Sequence, residues 1–282
     1  MSPERRRRAA RHLQGRFRVS ERRACLLTSQ HRSSQRYRRC LLPEEALLRE
    51  RLRLLARRHP RYGYRRIHAL LRREGFACNR KRVQRLWRDE GLRLPAKTRR
   101  RRRGPRMPGH LTAACPDQVW AIDFVSDQTA DGRPLKILTV TDEHTREALA
   151  TPAARRMGAD ETVSVLEQVV ERRGRAPELI RCDNGPEFIA QALKDWCRFN
   201  QVTTGYIEPG APWQNPYAES FNGHLRRELL EMESFNTLYE AQLLLDDWRL
   251  EYNHYRPHQS LSYQTPAEYH RRWRTENQPE LS

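Results

Sequence analysis

The sequence predicts a small, basic, all-α region followed by a larger α/β domain built on a mixed five-stranded sheet. Three observations support this prediction. Residues 44–92 carry apolar side chains at helical spacing, and from residue 117 short β-type runs alternate with helical patterns. The charge is also divided, since residues 1–110 hold 36 Lys and Arg against 8 Asp and Glu, whereas the remainder holds 18 against 27. This division indicates a polyanion-binding region joined to a separately folded domain.

The composition narrows the class of protein. Arg outnumbers Lys 50 to 4, which favours contacts to phosphate and guanine, although a GC-rich genome would also raise the Arg content. The six cysteines show no C-x-x-C spacing, which argues against a zinc module and predicts free thiols in a reducing compartment. No apolar stretch approaches the roughly 18 residues of a membrane span, and no signal peptide is evident. We therefore expect a soluble, cytoplasmic protein with no membrane partner.

The basic half divides into three predicted segments. Residues 1–43 are a basic arm, either disordered or holding a helix-turn-helix fragment that begins after Ser20. Residues 44–92 are predicted to form a helix-turn-helix DNA-binding domain, in which Asn79 caps a helix; a small bundle with a solvated basic face is the alternative. Its candidate DNA contacts are Arg65, Arg66, Arg80, Lys81, Arg82 and Arg85.

Residues 93–116 form a predicted basic linker. It contains a run of five arginines that cannot pack together and would lie well against a phosphate backbone. These candidate DNA contacts are Arg99, Arg100, Arg101, Arg102 and Arg103.

The catalytic core is predicted over 117–270, with a frayed tail over 271–282. Its elements follow the order β-β-β-α-β-α-β-α, with one more helix at the end. Strands are expected over 118–125, 135–142, 146–151, 178–182 and 202–207, and helices over 160–173, 186–200, 215–232 and 237–252.

Three acidic residues are candidates for catalysis. Asp123 lies inside an apolar strand, Asp183 directly follows a buried strand, and Glu219 is early in a helix. A carboxylate in an apolar strand is costly unless it is paired or binds a metal. If the three meet at one sheet edge, they form a hard oxygen site suited to Mg²⁺ or Mn²⁺. Two such ions support phosphoryl transfer to water or to a DNA 3′-OH.

Each of these residues also has an ordinary interpretation. Asp123 fits a hydrogen-bonded strand-edge residue, and the sequence Asp183-Asn184-Gly185 is a good tight turn. Glu219 alone is an unremarkable helix residue. The catalytic hypothesis therefore depends on the order, context and spacing of all three.

Order and spacing also carry a family resemblance. From about 117 to 270 the chain resembles the DDE catalytic core of insertion-sequence transposases and retroviral integrases, which has an RNase-H-like fold. Between Asp183 and Glu219 lie 35 residues, as in the D-(35)-E motif of that group. The stretches that carry the resemblance are V-W-A-I-D-F over 119–124, R-C-D-N-G-P-E-F over 181–188 and P-G-A-P-W-Q-N-P-Y-A-E-S-F-N over 209–222.

A closer resemblance is to transposases of the IS3 type, specifically their second-frame (OrfB) product. Residues 59–67, H-P-R-Y-G-Y-R-R-I, resemble its N-terminal helix-turn-helix motif, and residues 252–261, Y-N-H-Y-R-P-H-Q-S-L, resemble its C-terminal motif. The chain lacks a leucine-heptad segment, which in this family belongs to the upstream frame.

The resemblance implies a DNA transposase that cleaves element ends and transfers the 3′-OH strand into target DNA. It implies that Asp123, Asp183 and Glu219 are the catalytic residues and the ligands of Mg²⁺ or Mn²⁺, with two ions. It places Arg226 and Asn222 at the DNA near the active site. The implied partners are double-stranded DNA (the terminal inverted repeats and the target), further copies of the chain on DNA and an upstream-frame protein. The implied location is the bacterial nucleoid.

Two other functions remain open at this point. A non-catalytic regulator would bind DNA through residues 44–92, and an RNase-H-like nuclease would cut without joining. Several side chains are open as well: Trp120, Trp213 and Tyr217 are candidates for base stacking or for core packing, and His254 and His258 for metal binding or for structural roles.

Overall fold

The computed structural model describes residues 3–37, 43–93, 112–207 and 214–277. The chain divides into two compact units, Met1–Arg51 and Leu52–Ser282. None of the helices in the described ranges is both long and apolar enough to cross a membrane.

The first unit is helical. It contains α1 (Pro3–Phe17), α2 (Glu21–Leu27), α3 (Arg32–Arg36) and the start of α4 (Pro43–Arg58). The Ser20 hydroxyl accepts a hydrogen bond from the Arg23 N–H at 3.3 Å, which confirms the predicted start of a helix. A disordered arm is wrong for the described part of this region. One reason is that α1 side chains satisfy backbone carbonyls further along the chain, as in the Arg7–Ser34 hydrogen bond of 2.8 Å.

In the described part of the second unit, the end of α4 is followed by α5 (Tyr64–Arg73) and α6 (Arg80–Asp89), which contact each other. The Asn79 side chain accepts from the Arg82 N–H at 2.7 Å and caps α6, as the sequence predicts. The apolar residues of the pair are buried: Ile67, Leu70, Leu71, Val83, Leu86 and Trp87.

The sheet is mixed, as predicted, and its strand order is β3-β2-β1-β5-β6. β1, β2 and β3 pair antiparallel, whereas β1, β5 and β6 pair parallel. The strand β4 also pairs with β2 and was not predicted, because its two alanines carry no alternating pattern. The strands are β1 (Val119–Gln128), β2 (Pro134–Asp142), β3 (Ala148–Ala150), β4 (Ala153–Ala154), β5 (Leu179–Cys182) and β6 (Thr203–Tyr206).

Helices cover both faces of the sheet. One face packs Trp120 and Ile122 of β1 against α7 (Ala159–Arg173) and α9 (Gln191–Phe199). The indole N–H of the fully buried Trp120 donates to the Asp117 carboxylate at 3.0 Å. Trp120 is therefore a core residue, and base stacking by this side chain is wrong.

The opposite face of the sheet carries the helices on which the candidate site depends. There Val125 of β1 packs with Leu225 and Leu245. These two leucines belong to α10 (Pro216–Leu225) and α11 (Leu238–His254).

Two predicted helices are interrupted. The helix predicted over 186–200 divides into α8 (Pro186–Ile189) and α9, because Ala190 is extended. The helix predicted over 215–232 divides into α10 and a π-helical turn, Arg226–Leu230.

The tail predicted to be frayed from residue 271 is helical as far as it is described. It belongs to α12 (Pro266–Asn277). Thr265 and Glu268 form a capping box: the Thr265 N–H donates to the Glu268 carboxylate at 2.8 Å, and the Glu268 N–H to the Thr265 hydroxyl at 3.2 Å. The T-x-x-E spacing over 265–268 is the sequence signal for this helix start.

Candidate active site

The register of two parallel strands determines the positions of Asp123 and Asp183. Ala121 of β1 pairs with Arg181 of β5, so continuing that register for two residues places Asp123 beside Asp183. Since Ile122 points into the core with α7 and α9, Asp123 faces the other side, where α10 lies. The two carboxylates thus lie at the same edge and on the same face of the sheet.

The Asp123 carboxylate is half-buried and accepts two hydrogen bonds. The Phe124 N–H donates to Oδ1 and the Asn222 side chain to Oδ2, both at 2.8 Å. Burial raises the pKa of Asp123 to about 6; the Asp183 charge adds to this rise, while the two hydrogen bonds and the Arg226 charge oppose it. Burial thus outweighs the groups that favour the ionised form.

The Asp183 side chain is exposed at the end of β5 and is fixed by a tight turn. Its Oδ1 accepts the Gly185 N–H at 2.9 Å. The Asn184 side chain donates to the Ile207 carbonyl at 2.7 Å, just beyond β6. The Asp183-Asn184-Gly185 segment is therefore a turn, and that turn also holds Asp183 near Asp123.

The helix α10 brings Glu219 to the same region. Asn215 caps it, accepting the Ala218 N–H and donating to the Ile122 carbonyl, both at 3.4 Å. Asn222, two turns later, reaches Asp123. Glu219 lies between these two docked residues on the same helix face and is exposed.

The three carboxylates do not meet as a metal cluster in this structure. Within the described ranges no group of three His, Cys, Asp or Glu side chains is arranged to hold a metal ion. Residues 208–213, shortly before α10, lie outside the described part. The donor chemistry nevertheless fits Mg²⁺ or Mn²⁺, because the Oδ1 of Asn222 is buried without a hydrogen-bond partner beside the Asp123 carboxylate.

The residues predicted to contact DNA differ in how exposed their side chains are. Arg226 is exposed and Asn222 buried, and in the first of the paired helices Arg65 is exposed while Arg66 is half-buried. In α6 the exposed residues are Arg80, Lys81 and Arg85, with Arg82 partly covered. The predicted contacts at Arg99, Arg100, Arg101, Arg102 and Arg103 lie outside the described residues, as does Trp213.

The remaining candidate side chains differ in burial. His258 is buried, with its Nε2 3.5 Å from Arg256 Nη1, which confirms the structural role, whereas His254 is exposed. Tyr217 is half-buried, and its ring lies 3.9 Å from the Arg146 guanidinium.

The sequence does not identify the contacts of Lys136, a positively charged side chain beside Phe124. The Lys136 ammonium lies 4.0 Å from the Phe124 ring centre and forms an ion pair with Glu187. Phe124 also stacks on Phe188 at 5.1 Å. These contacts tie α8, which follows the Asp183 turn, to β1 and β2. The signal was a lone lysine inside an apolar strand.

Comparison with known families agrees with this arrangement. Integrase core domains match residues 113–212 and 200–266, and an HTH-like domain matches residues 43–102. The chain is thus an integrase-core protein with a helix-turn-helix-like region before the core.

Individual relatives narrow the class. A protein of insertion element IS407 from Burkholderia multivorans is 41% identical, over 89% of this chain and 90% of the relative. A protein of element IS476 from Xanthomonas euvesicatoria is 38% identical over 98% and 80%, and the transposase InsD of element IS2 from Escherichia coli is 30% identical over 74% and 73%. The chain belongs to the IS3 family of insertion-element transposases, which are DDE-type polynucleotidyl transferases.

Solved structures include one of the HTLV-2 integrase catalytic core domain in complex with magnesium. It is 19% identical, covers 56% of this chain and 98% of that chain, and has a TM-score of 0.45.

Proposed function

We propose that this chain cleaves the ends of its element and joins the 3′-OH strand to target DNA, with Asp123, Asp183 and Glu219 as the catalytic carboxylates. One observation carries the proposal. Asn222 lies one turn after Glu219 on α10, and it donates to Asp123, which lies beside Asp183 on the sheet. A single helix–strand contact therefore links all three candidates.

The same carboxylates would hold the metal, proposed as two Mg²⁺ or Mn²⁺ ions. When bound, such ions supply charge stabilisation for in-line displacement at phosphorus. The protein's own groups orient the ligands: Asn222 and the Phe124 N–H fix Asp123, and the turn at Gly185 fixes Asp183. Arg226 places positive charge near Asp123 and is a proposed contact to the DNA backbone.

The proposed DNA substrate is recognised by the basic helices. In a helix-turn-helix the second helix enters the major groove, and here that helix is α6, which carries Arg80, Lys81 and Arg85 on its exposed side. We propose that several copies act together on DNA, because two element ends must be held for joining. An upstream-frame partner and a place on the nucleoid rest on the family resemblance alone.

The test is Asp183→Asn in the full chain, assayed on a labelled duplex carrying the terminal inverted repeat of the element that encodes it. We expect Mg²⁺-dependent nicking and joining to fall at least about 100-fold, because the amide removes a charged metal ligand. The matched control is Asp195→Asn on the exposed surface of α9, where the side chain accepts the Gln191 amide at 2.7 Å and lies 3.6 Å from the exposed Arg198 guanidinium.

Each alternative function gives a different result. Unchanged nicking in Asp183→Asn contradicts the assignment. Wild-type nicking without insertion of pre-cut ends into a plasmid indicates a nuclease, and binding without any nicking indicates a regulator.

A further inference from the structure

The two sequence motifs outside the catalytic core stretches meet in the folded chain. Tyr62 and Arg66 come from the motif over 59–67, and Arg256 from the motif over 252–261. The Tyr62 ring is buried, and the guanidiniums of Arg66 and Arg256 lie 5.3 and 5.9 Å from its centre. Residues separated by about 190 positions thus form one cluster.

The centre of this cluster is Glu228, in the π-helical turn that follows α10. Arg256 binds it with both arms of its fork, Nε to Oε2 at 2.8 Å and Nη2 to Oε1 at 2.7 Å. Arg66 reaches Oε1 from α5 at 3.4 Å. The side chains of Glu228 and Arg256 are 9% and 2% exposed, so this is a buried, bidentate ion pair with a second arginine at its side.

The negative charge of Glu228 balances the positive charges of the cluster. Burial would raise the pKa of Glu228, but the hydrogen bonds from Arg256 and His224 hold it well below its usual range. Burial also lowers the pKa of His224 to about 4 and that of His258 to about 2, so both rings are neutral near pH 7. The carboxylate is thus the counter-ion of two guanidiniums, which would repel each other without it.

The helix α5 is the first helix of the helix-turn-helix pair. Near each of its ends a side chain contacts the catalytic core. At its start Arg66 reaches Glu228. At its end the Arg73 guanidinium donates to the Tyr255 and Tyr263 carbonyls at 3.2 and 3.1 Å. Since the second helix of such a motif enters the DNA groove, α5 is free to serve as the docking helix.

We propose that Glu228 and Arg66 are positioning residues, whose contact fixes the DNA-reading helices relative to the catalytic helix α10 and so determines which phosphodiester is cut. Glu228 follows α10 without a loop, in the π turn Arg226–Leu230, so its position is coupled directly to that of the catalytic helix. The cut-site part of this proposal rests on the proposed function, whereas the docking part does not. It gives Arg66 a different role from the DNA contact that the sequence predicts.

The test compares Arg66→Gln with Arg61→Gln in the full chain. Arg61 forms a similar pair with Glu231 nearby, at 3.4 Å, but both partners are about half exposed, so its loss has little effect.

The nick position is mapped to the nucleotide on the terminal-repeat duplex, and DNA affinity is measured in parallel. We expect Arg66→Gln to bind DNA within about twofold of wild type and to spread its nicks over neighbouring phosphodiesters. The share at the element boundary should fall about tenfold, Arg66→Lys should restore part of it, and Arg61→Gln should match wild type.

Two results would overturn the positioning role. One is an unchanged nick position in Arg66→Gln. The other is a loss of DNA affinity with the position retained, which makes Arg66 a DNA contact.

The rate of amide hydrogen exchange in α5, measured in the DNA-free chain, tests separately whether α5 docks on the catalytic core. We expect faster exchange over Tyr64–Arg73 in Arg66→Gln and in Glu228→Gln, but not in Arg61→Gln; equal exchange in all variants refutes docking. A wild-type chain that never nicks refutes the proposed function, and docking is then decided by exchange alone.

Discussion

At the scale of single residues, the site is defined by how Asp123 is held. The sequence shows a carboxylate in an apolar strand, and the structure shows why it is tolerated there: a backbone N–H and the Asn222 amide donate to it. The second interaction could not be inferred from local sequence, because it joins residues 99 positions apart. It needs the docking of α10 on β1.

Replacing Asn222 tests this contact. Asn222→Ala removes a charge-assisted hydrogen bond, worth roughly 1.5–3 kcal/mol, and leaves Asp123 less well oriented. We expect nicking by this variant to fall about 10- to 100-fold with little change in DNA affinity. Ser220→Ala, on the exposed side of the same helix, is the control and should retain the wild-type rate. Equal rates for the two variants would show that Asn222 does not orient the site.

Gly185 is a second test at this scale. A methyl group at Gly185 would lie 3.0 Å from Asp183 Oδ1 and 3.3 Å from the Glu187 carboxylate, so one of these side chains must shift. We expect Gly185→Ala to lower the nicking rate about tenfold without unfolding the chain, as monitored by circular dichroism. Gly15→Ala, which meets nothing within 4 Å, serves as the control. A wild-type rate in Gly185→Ala would mean that the turn tolerates the displacement.

At the scale of elements, the sequence predicts the main strands of the sheet but not the interruptions of its helices. The order of the strands along the chain is predicted because each has its own apolar run, whereas the parallel pairing of β1 with β5 comes from the structure. The π turn at Arg226–Leu230 was not predictable, since no Pro or Gly marks it. Within this turn Glu228 pairs with Arg256, far along the chain, and local sequence does not reveal that contact.

The half-buried His224 beside this turn predicts a pH effect on stability. Burial lowers the pKa of His224 to about 4. Because this value lies below that of an unfolded histidine, the unfolded chain binds more protons between about pH 6.5 and 4. The resulting stability is therefore present above that window and is lost as the pH falls through it. Between pH 6.5 and 5 the loss from this residue is ~2 kcal/mol.

Chemical denaturation of His224→Gln measures that contribution. We expect the free energy of unfolding to fall less steeply from pH 7 to 5 in His224→Gln than in wild type. His254→Gln, at an exposed position on α11, should keep the wild-type slope. Identical slopes in all three proteins would show that His224 titrates normally in the folded chain.

At the scale of the whole molecule, the distribution of charge and the spacing of motifs predict the domain architecture. They do not predict which side chains lie together in the folded chain. The excess of Arg in residues 1–110 and the 35-residue interval between Asp183 and Glu219 are visible in the sequence. The contact of the two outer motifs at Glu228 is not visible in the sequence. A buried glutamate in a helix cannot be distinguished from a solvated one until its partners are known.

The charge division predicts strongly salt-dependent DNA binding by the full chain. If 6–10 phosphates are neutralised, affinity should fall about 10³- to 10⁵-fold between 50 and 200 mM salt. Fluorescence anisotropy with a labelled terminal-repeat duplex measures this directly. A loss smaller than about tenfold over that range would mean that the basic region is not the main DNA-binding surface.

The central claim is that Glu219 joins Asp123 and Asp183 when metal and DNA are bound. Mn²⁺-dependent nicking by Glu219→Gln, measured over a range of Mn²⁺ concentrations with the exposed Glu233→Gln as control, tests it most directly. The account predicts at least about a 100-fold lower rate at every Mn²⁺ concentration for Glu219→Gln and a wild-type curve for Glu233→Gln. A Glu219→Gln curve that overlies the wild type would contradict it.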